Sequence, residues 1–331
     1  MLFRSQYLDS YGYNLASFDV SGPLLTSRDS TKKNESAIAG FFLAGEYQYD
    51  KDPAPPGIDV YKLNDASLES LRKYPLVRSP GGFNYISRAS YFTFDSLTKQ
   101  KYRENVSADA IRLNGKLDIR PAKNVTLTFG GSLERTKSND YIGIYSLMNY
   151  DQYPQTTTTN WRAFGKITQR FVNDSKEKSS SVLKNAYYSV QVDYSHNHEE
   201  DMSPVHKQNA FEYGFVGTFK STAFPIYAPT PSGDFSQIAN IDTNVVFTAG
   251  TQNPVTANYT TQYYALTDPY GTSGYQDNLS DIQLNGGLLN GDNRNSLAVY
   301  GLWALPGRVR SGFSVSDNSQ IRVSTNGSVD I

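Results

Sequence analysis

The sequence predicts an all-β fold, an antiparallel transmembrane β-barrel present as an incomplete, open sheet with long extracellular loops. Three observations predict it: an aromatic-rich composition, repeated period-two alternation, and connectors that switch between short and long. The 331 residues include 25 Tyr and 17 Phe but only 3 Met and 2 Trp. That balance suits pleated surfaces with one apolar face. The 31 Lys and Arg nearly match the 32 Asp and Glu and are scattered, so the basic footprint of a nucleic-acid binder is missing and no nucleic-acid partner is expected. Cysteine is absent, which excludes disulfides, thiolate metal sites and cysteine nucleophiles. No apolar run approaches the roughly 18 residues of a transmembrane helix. A barrel remains open, because alternation hides its hydropathy.

The clearest alternation lies between Asn105 and Lys137. Ile111, Leu113, Gly115, Leu117 and Ile119 face one side, with Arg112, Asn114, Lys116, Asp118 and Arg120 on the other. After the turn 121–124 the pattern resumes, with Val125, Leu127, Phe129, Gly131 and Leu133 apolar. This is a β-hairpin with one apolar face. A soluble sandwich would meet that face with a second sheet; a barrel would meet it with lipid. Recurrence favours the barrel. Alternation also marks 37–50, 161–172, 185–196 and 320–331, and with 11–25, 105–120 and 125–137 the expected spans number seven. Phe42 and Phe164 break the polar-inward pattern. Tyr47, Tyr49, Trp161, Phe171 and Tyr194 sit near strand ends on the apolar side, as interfacial aromatic girdles do.

Connector lengths point the same way, since outer-membrane barrels have short periplasmic turns and long outer loops. The connectors 26–36, 121–124 and 173–184 are tight or moderate, whereas 51–104, 138–160 and 197–319 are long. The long loops 51–104 and 197–319, rich in Gly, Asn, Pro, Thr and Tyr, are the expected ligand-binding regions. Two further strand-like segments, 210–220 and 297–304, are assigned above the membrane as an extension of the last loop. Within the first loop, Leu68 and Leu71 at helical spacing before Pro75 predict a short helix over 65–74. No signal peptide is visible in 1–10, and alternation still running at Ile331 reads as a chain cut from a longer one.

The stretch from Tyr11 to Leu25 (YGYNLASFDVSGPLL), followed by Gly40 to Tyr47 (GFFLAGEY), resembles the strand, Gly-Pro-Leu turn and Phe-Phe strand early in the barrel of TonB-dependent receptors. The likeness is to the Bacteroidota type with a carboxypeptidase-regulatory-like N-terminal domain. LNGKLDI from Leu113 and WRAFGKITQ from Trp161 are similar to later strands of that group. The resemblance implies a 22-stranded barrel, a lumen-filling plug and a TonB box, and hence import of a nutrient across the outer membrane. It also implies the outer-membrane bilayer, the TonB-ExbB-ExbD complex and a surface lipoprotein as partners. No segment looks like the plug or the box, and about seven strands cannot close so wide a barrel. A soluble or surface-exposed β-sheet adhesin is the alternative.

No catalytic motif stands out, and neither enzymatic activity nor a cofactor is expected. All three histidines fall in a short stretch, His196, His198 and His206, with Glu199 and Asp201 nearby. Imidazole and carboxylate together could hold a divalent cation. Zinc-finger spacings are not met, however, so the residues read as a solvated loop tip just past a strand end and no metal site is expected. Gly81-Gly82 lacks the following helix and Lys of a phosphate cradle.

Overall fold

A computed structural model describes residues 12–27, 36–78, 85–122, 124–172, 185–267, 303–310 and 312–330. In chain order these form β1 (Asn14–Ser27), β2 (Ser36–Asp50), β3 (Val60–Leu63), α1 (Asp65–Lys73), β4 (Leu76–Arg78), β5 (Tyr85–Ser87), β6 (Leu97–Gln100), β7 (Ala108–Ala122), β8 (Val125–Asn139), β9 (Gln155–Val172), β10 (Asn185–Met202), β11 (Gly217–Pro229), β12 (Phe235–Ala249), α2 (Pro254–Thr267) and β13 (Ser314–Asp330).

The seven long strands make one antiparallel sheet in the order β1-β2-β7-β8-β9-β10-β13. Each is 14 to 18 residues long. Among the described residues, β1 and β13 form the two edges and do not pair with each other. The three remaining strand pairs, β3-β6, β4-β5 and β11-β12, are separate two-stranded ribbons.

Several strands outrun the expectation, furthest at the end next to a long connector. β9 begins at Gln155 rather than 161, β10 runs to Met202 rather than 196, and β13 begins at Ser314 rather than 320. The added residues, such as Thr156 to Asn160 and Asn197 to Asp201, are polar on both faces, so they pair in the ladder without showing any alternation. The Gly-Pro-Leu turn expected at Gly22 to Leu24 is not a turn. It lies inside β1, where the register slips between Pro23 and Leu25; an edge strand with a bulge tolerates a residue that cannot donate to the ladder. Strand β7 continues through Pro121 to Ala122, which pairs with Val125, so the strand takes in the first half of the expected four-residue turn. Of the two extra segments, 210–220 opens with a 3-10 turn at Ala210–Glu212 and then enters β11. Its last four residues, 217–220, begin the first strand of the β11-β12 ribbon. Residues 297–302 of the other segment lie outside the described residues, and Trp303 and Ala304 are not strand.

The faces divide as the alternation requires. Register links Val20, Leu43, Gly115, Gly131, Ala163, Tyr194 and Ile321 in one row, and Gly22, Phe41, Leu117, Phe129, Gly165, Val192 and Val323 in the next. This apolar side stays open: Leu43 is 42%, Val192 49% and Ile321 71% exposed, values no sandwich core would show. Phe18 covers Gly45 there, and an added Cβ at Gly45 would collide with its ring. The same device explains Phe164 on the polar face: its ring lies over Gly130, where a Cβ would come within 2.5 Å. Phe42, another aromatic on that face, stays exposed.

The connectors 51–107, 140–154 and 203–313 leave the same end of the sheet, and their described parts pack together there as a cap. Helix α1 forms as its spacing predicts. Asn64 caps it by accepting from the Ser67 N–H at 2.8 Å, and Leu68 and Leu71 turn inward. They join Leu63, Ala89, Leu147, Met148 and Leu305 in one apolar cluster, so residues from all three long connectors share a core. Leu71 is 1% exposed, and truncating it to Ala should cost about 2–5 kcal/mol. The expected readout is faster amide exchange at Leu63, whose N–H donates to the Leu147 carbonyl, with exchange in β8 unchanged. Equal acceleration in both would show that cap and sheet do not unfold separately.

Candidate functional site

The cap owes its shape to a few polar pins as well as to its apolar cluster. The Asn149 side chain is fully buried; its Nδ2 donates to the Arg308 carbonyl at 2.7 Å and its Oδ1 accepts from the Gly307 N–H at 2.8 Å. One amide thereby joins connectors 158 residues apart in sequence. Asp52, just beyond β2, plays a similar part. Its carboxylate is buried and accepts from the Arg103 backbone N–H at 2.9 Å, from Arg103 Nη2 at 2.6 Å and from the Ala54 N–H at 3.1 Å. The Arg103 guanidinium also lies 4.6 Å from the centre of the Tyr141 ring.

Between these pins is a cleft of about 340 Å³ lined by Tyr61, Lys62, Arg103, Glu104, Tyr141 and Trp303, among others. Lys62 Nζ stands 3.3 Å from Glu104. Beneath the cleft, Tyr141, Tyr145 and Tyr153 pack with ring centres 5.8 and 6.4 Å apart, and burial pushes the Tyr153 phenol well above its ordinary range. Aromatic faces beside paired charges can hold a small polar ligand by stacking and by directed hydrogen bonds. This cleft lies within the expected ligand-binding loops 51–104 and 197–319, and Tyr141 adds the 138–160 connector to them.

On the sheet's polar face, charges pair across strands. Arg112 reaches Glu46 at 2.7 Å and Glu134 at 2.8 Å, joining β7 to both its neighbours. The Asp193 side chain, 5% exposed, sits between Arg162 and Arg322. Thr128 donates to Asp118 at 2.6 Å. Such a face is wet and charged along its length, as a water-lined wall would be.

The histidine stretch proves to be strand, not loop tip, and this sorts its members by face. His196 and His198 stand on the apolar-face side of β10, where register places His198 opposite Asp317. Glu199 and Asp201 alternate to the other face, and Asp201 is taken by Arg310 at 2.7 Å. His206 lies in the turn after β10, buried, with Nε2 2.9 Å from Asn253 Oδ1 and Nδ1 3.4 Å from Glu212. The five residues therefore never meet as one site. Asp317, which sequence reasoning missed, stands with His196 and His198: the ligand atoms of all three fall within 4.8 Å of one another.

The chain matches no protein-family model, no curated protein and no solved structure. Among the described residues no helix is long and apolar enough to cross a membrane.

Asp52 supplies a pH test of the cap. Burial raises its carboxyl pKa, but the hydrogen bonds from Arg103 and from the Ala54 N–H outweigh this and hold it below the ordinary value of 3.8. The unfolded chain then takes up the proton first, so the pair stabilises the cap above that pH and the benefit fades as pH falls through the folded value. Arg103→Ala strands a buried charge and should cost about 3–5 kcal/mol at neutral pH. Asp52→Asn should flatten the acid side of the cap's unfolding curve below pH 3.8. An unchanged acid limb in that variant would remove Asp52 as its source.

Proposed function

We propose that the chain is barrel wall and outer loops of an outer-membrane TonB-dependent receptor, which binds a nutrient at its outer face and imports it. The observation that carries this reading is how the apolar band crosses the sheet. Along the ladder-paired row Ala16, Tyr47, Ile111, Arg135, Thr159, His198 and Asp317, the side chains start apolar at β1 and end polar at β13. The apolar stretch of β13, Ile321 to Val329, lies correspondingly further toward the short turns. A band of fixed height cutting obliquely across paired rows is what strands tilted in a bilayer produce. A sandwich core has no need of that slant.

Three other features support it. Strands of 14 to 18 residues exceed the roughly 9–11 that cross a bilayer at a tilt, leaving a wet extension beneath the cap. The polar face carries cross-strand ion pairs suited to a lumen. The cap gathers the long connectors over one rim, where the cleft beside Tyr61, Tyr141 and Trp303 faces the medium as a ligand entrance. Energy from the TonB-ExbB-ExbD complex and delivery by a surface lipoprotein belong to this proposal through the family resemblance.

Sidedness tests it in intact cells. A tag inserted near Gly271 should be labelled from outside and one at Lys123 should not; labelling at Lys123 would reverse the topology. Leu127 sits in the row Ala39, Ile119, Leu127, Ile167 and Val190, inside the apolar band. Leu127→Arg should cost about 2–4 kcal/mol in liposomes. A chain that remains soluble and folded without detergent would replace the receptor reading with the surface adhesin.

A further inference from the structure

We propose that His196, His198 and Asp317 form a binding site for one first-row divalent metal ion of the Zn²⁺ type, clamping β13 to β10 on the outward face just above the apolar band. The residues come from two strands joined only through the longest connector, yet the ladder fixes them side by side. His196 and His198 are two apart on β10 and so share a face. Asp317 is the direct partner of His198 on β13. The two imidazole rings are nearly parallel, 5° between planes and 6.5 Å between centres. The two oxygens of Asp317 address one ring each: Oδ1 is 3.6 Å from His196 Nε2 and Oδ2 is 3.0 Å from His198 Nδ1. Bonds of about 2.0–2.2 Å to imidazole nitrogen and carboxylate oxygen in a tetrahedral site set neighbouring donors a little over 3 Å apart, a spacing that three ligand atoms already within 4.8 Å of one another reach by small side-chain rotations.

The remaining nitrogen of His198 supports the assignment. Its Nε2 lies 3.4 Å from Glu200 Oε1, on the same face one step along the strand. With Nδ1 facing the metal, Nε2–H would donate to Glu200, the carboxylate–histidine arrangement that fixes ring orientation and tautomer in metal sites. His196 is held on its other side by the Trp161 ring, 5.9 Å between centres. Two neutral nitrogens and one carboxylate favour a borderline metal over the hard, all-oxygen preferences of Ca²⁺ and Mg²⁺. Three protein ligands leave a fourth position for water or an exogenous donor. The cap and its cleft have no share in the site, so it stands or falls separately from the receptor reading.

The test is titration with Co²⁺ alone, a coloured stand-in for Zn²⁺, on the full chain folded in detergent micelles. One Co²⁺ per chain should develop the visible absorption of a tetrahedral or five-coordinate site, and excess Zn²⁺ should bleach it. His198→Ala and Asp317→Asn should each abolish the bands. Glu200→Gln should weaken binding about 10–100-fold while keeping them. Glu199→Gln, on the opposite face, should change nothing. Should one variant fail to fold, the other carries the test alone. Absence of the bands in the unmodified protein, or their survival in a folded His198→Ala or Asp317→Asn chain, would overturn the site.

Discussion

The register of the seven-stranded ladder is the constraint on which the rest of the structure depends. Side chains alternate with period two, so a slip of one residue in any strand would exchange its faces. Moving β7 by one step would carry Arg112, Lys116 and Asp118 onto the apolar side and Leu113 and Leu117 onto the charged one. Cross-strand pairs oppose such a slip. Arg112 reaches both Glu46 and Glu134, and Asp193 is held between Arg162 and Arg322. The Arg112 pairs, open to solvent, contribute modestly to stability, on the order of 1 kcal/mol or less each. Their effect on pairing specificity is larger, because a slipped strand would place each charge against an apolar neighbour. The two Phe-Gly pairs act similarly, since Phe164 finds the space above Gly130 only in the observed register.

The same register explains which parts of the fold could be read from the residues alone. Alternation exists only where one face is apolar and the other polar, so the hairpin of β7 and β8 and the lower halves of β9 and β10 announce themselves. Above the apolar band both faces are wet. There Thr156 to Asn160, Asn197 to Asp201 and Ser314 to Ser319 read as loop, although their backbones pair in the ladder. Losing the ends of the strands hid the candidate site too. With β10 ended at 196, nothing could place His198 and Glu199 on opposite faces, and nothing linked either to Asp317, 119 residues away. Helix α1 was legible because two leucines at helical spacing and a terminating proline lie within one short stretch. Asn149 was not, because a buried amide that pins two loops has no local signature.

The cap changes what the long connectors can do. Separate loops of this length would sample many arrangements and would lose that freedom on binding a ligand. Here Leu63, Leu147 and Leu305 share one cluster, and Asn149 and Asn258 donate across connectors to Arg308 and Arg72 carbonyls. In the described parts of the connectors, ordering has therefore already occurred before any ligand arrives. The Asp52–Arg103 pair ties this body to the end of β2 and meets the cleft at Arg103.

A cap fixed in this way also couples the cleft to the sheet below it. Arg103 contributes to the cleft wall while its guanidinium is bound to Asp52, two residues beyond the end of β2. On the far side, Arg310 leads from the cap into β13 and pairs with Asp201 on the polar face of β10. The cap is thus tied by two arginines to the rims of different strands, and of the two Arg103 lines the cleft. A ligand that pulled Arg103 toward itself would have to weaken a buried ion pair, and one that left Arg103 in place would bind without disturbing the rim. Polar ligands that stack on Tyr61 or Trp303 and hydrogen-bond to Lys62 and Glu104 belong to the second kind, and for them the preformed cap lowers the cost of capture instead of storing it.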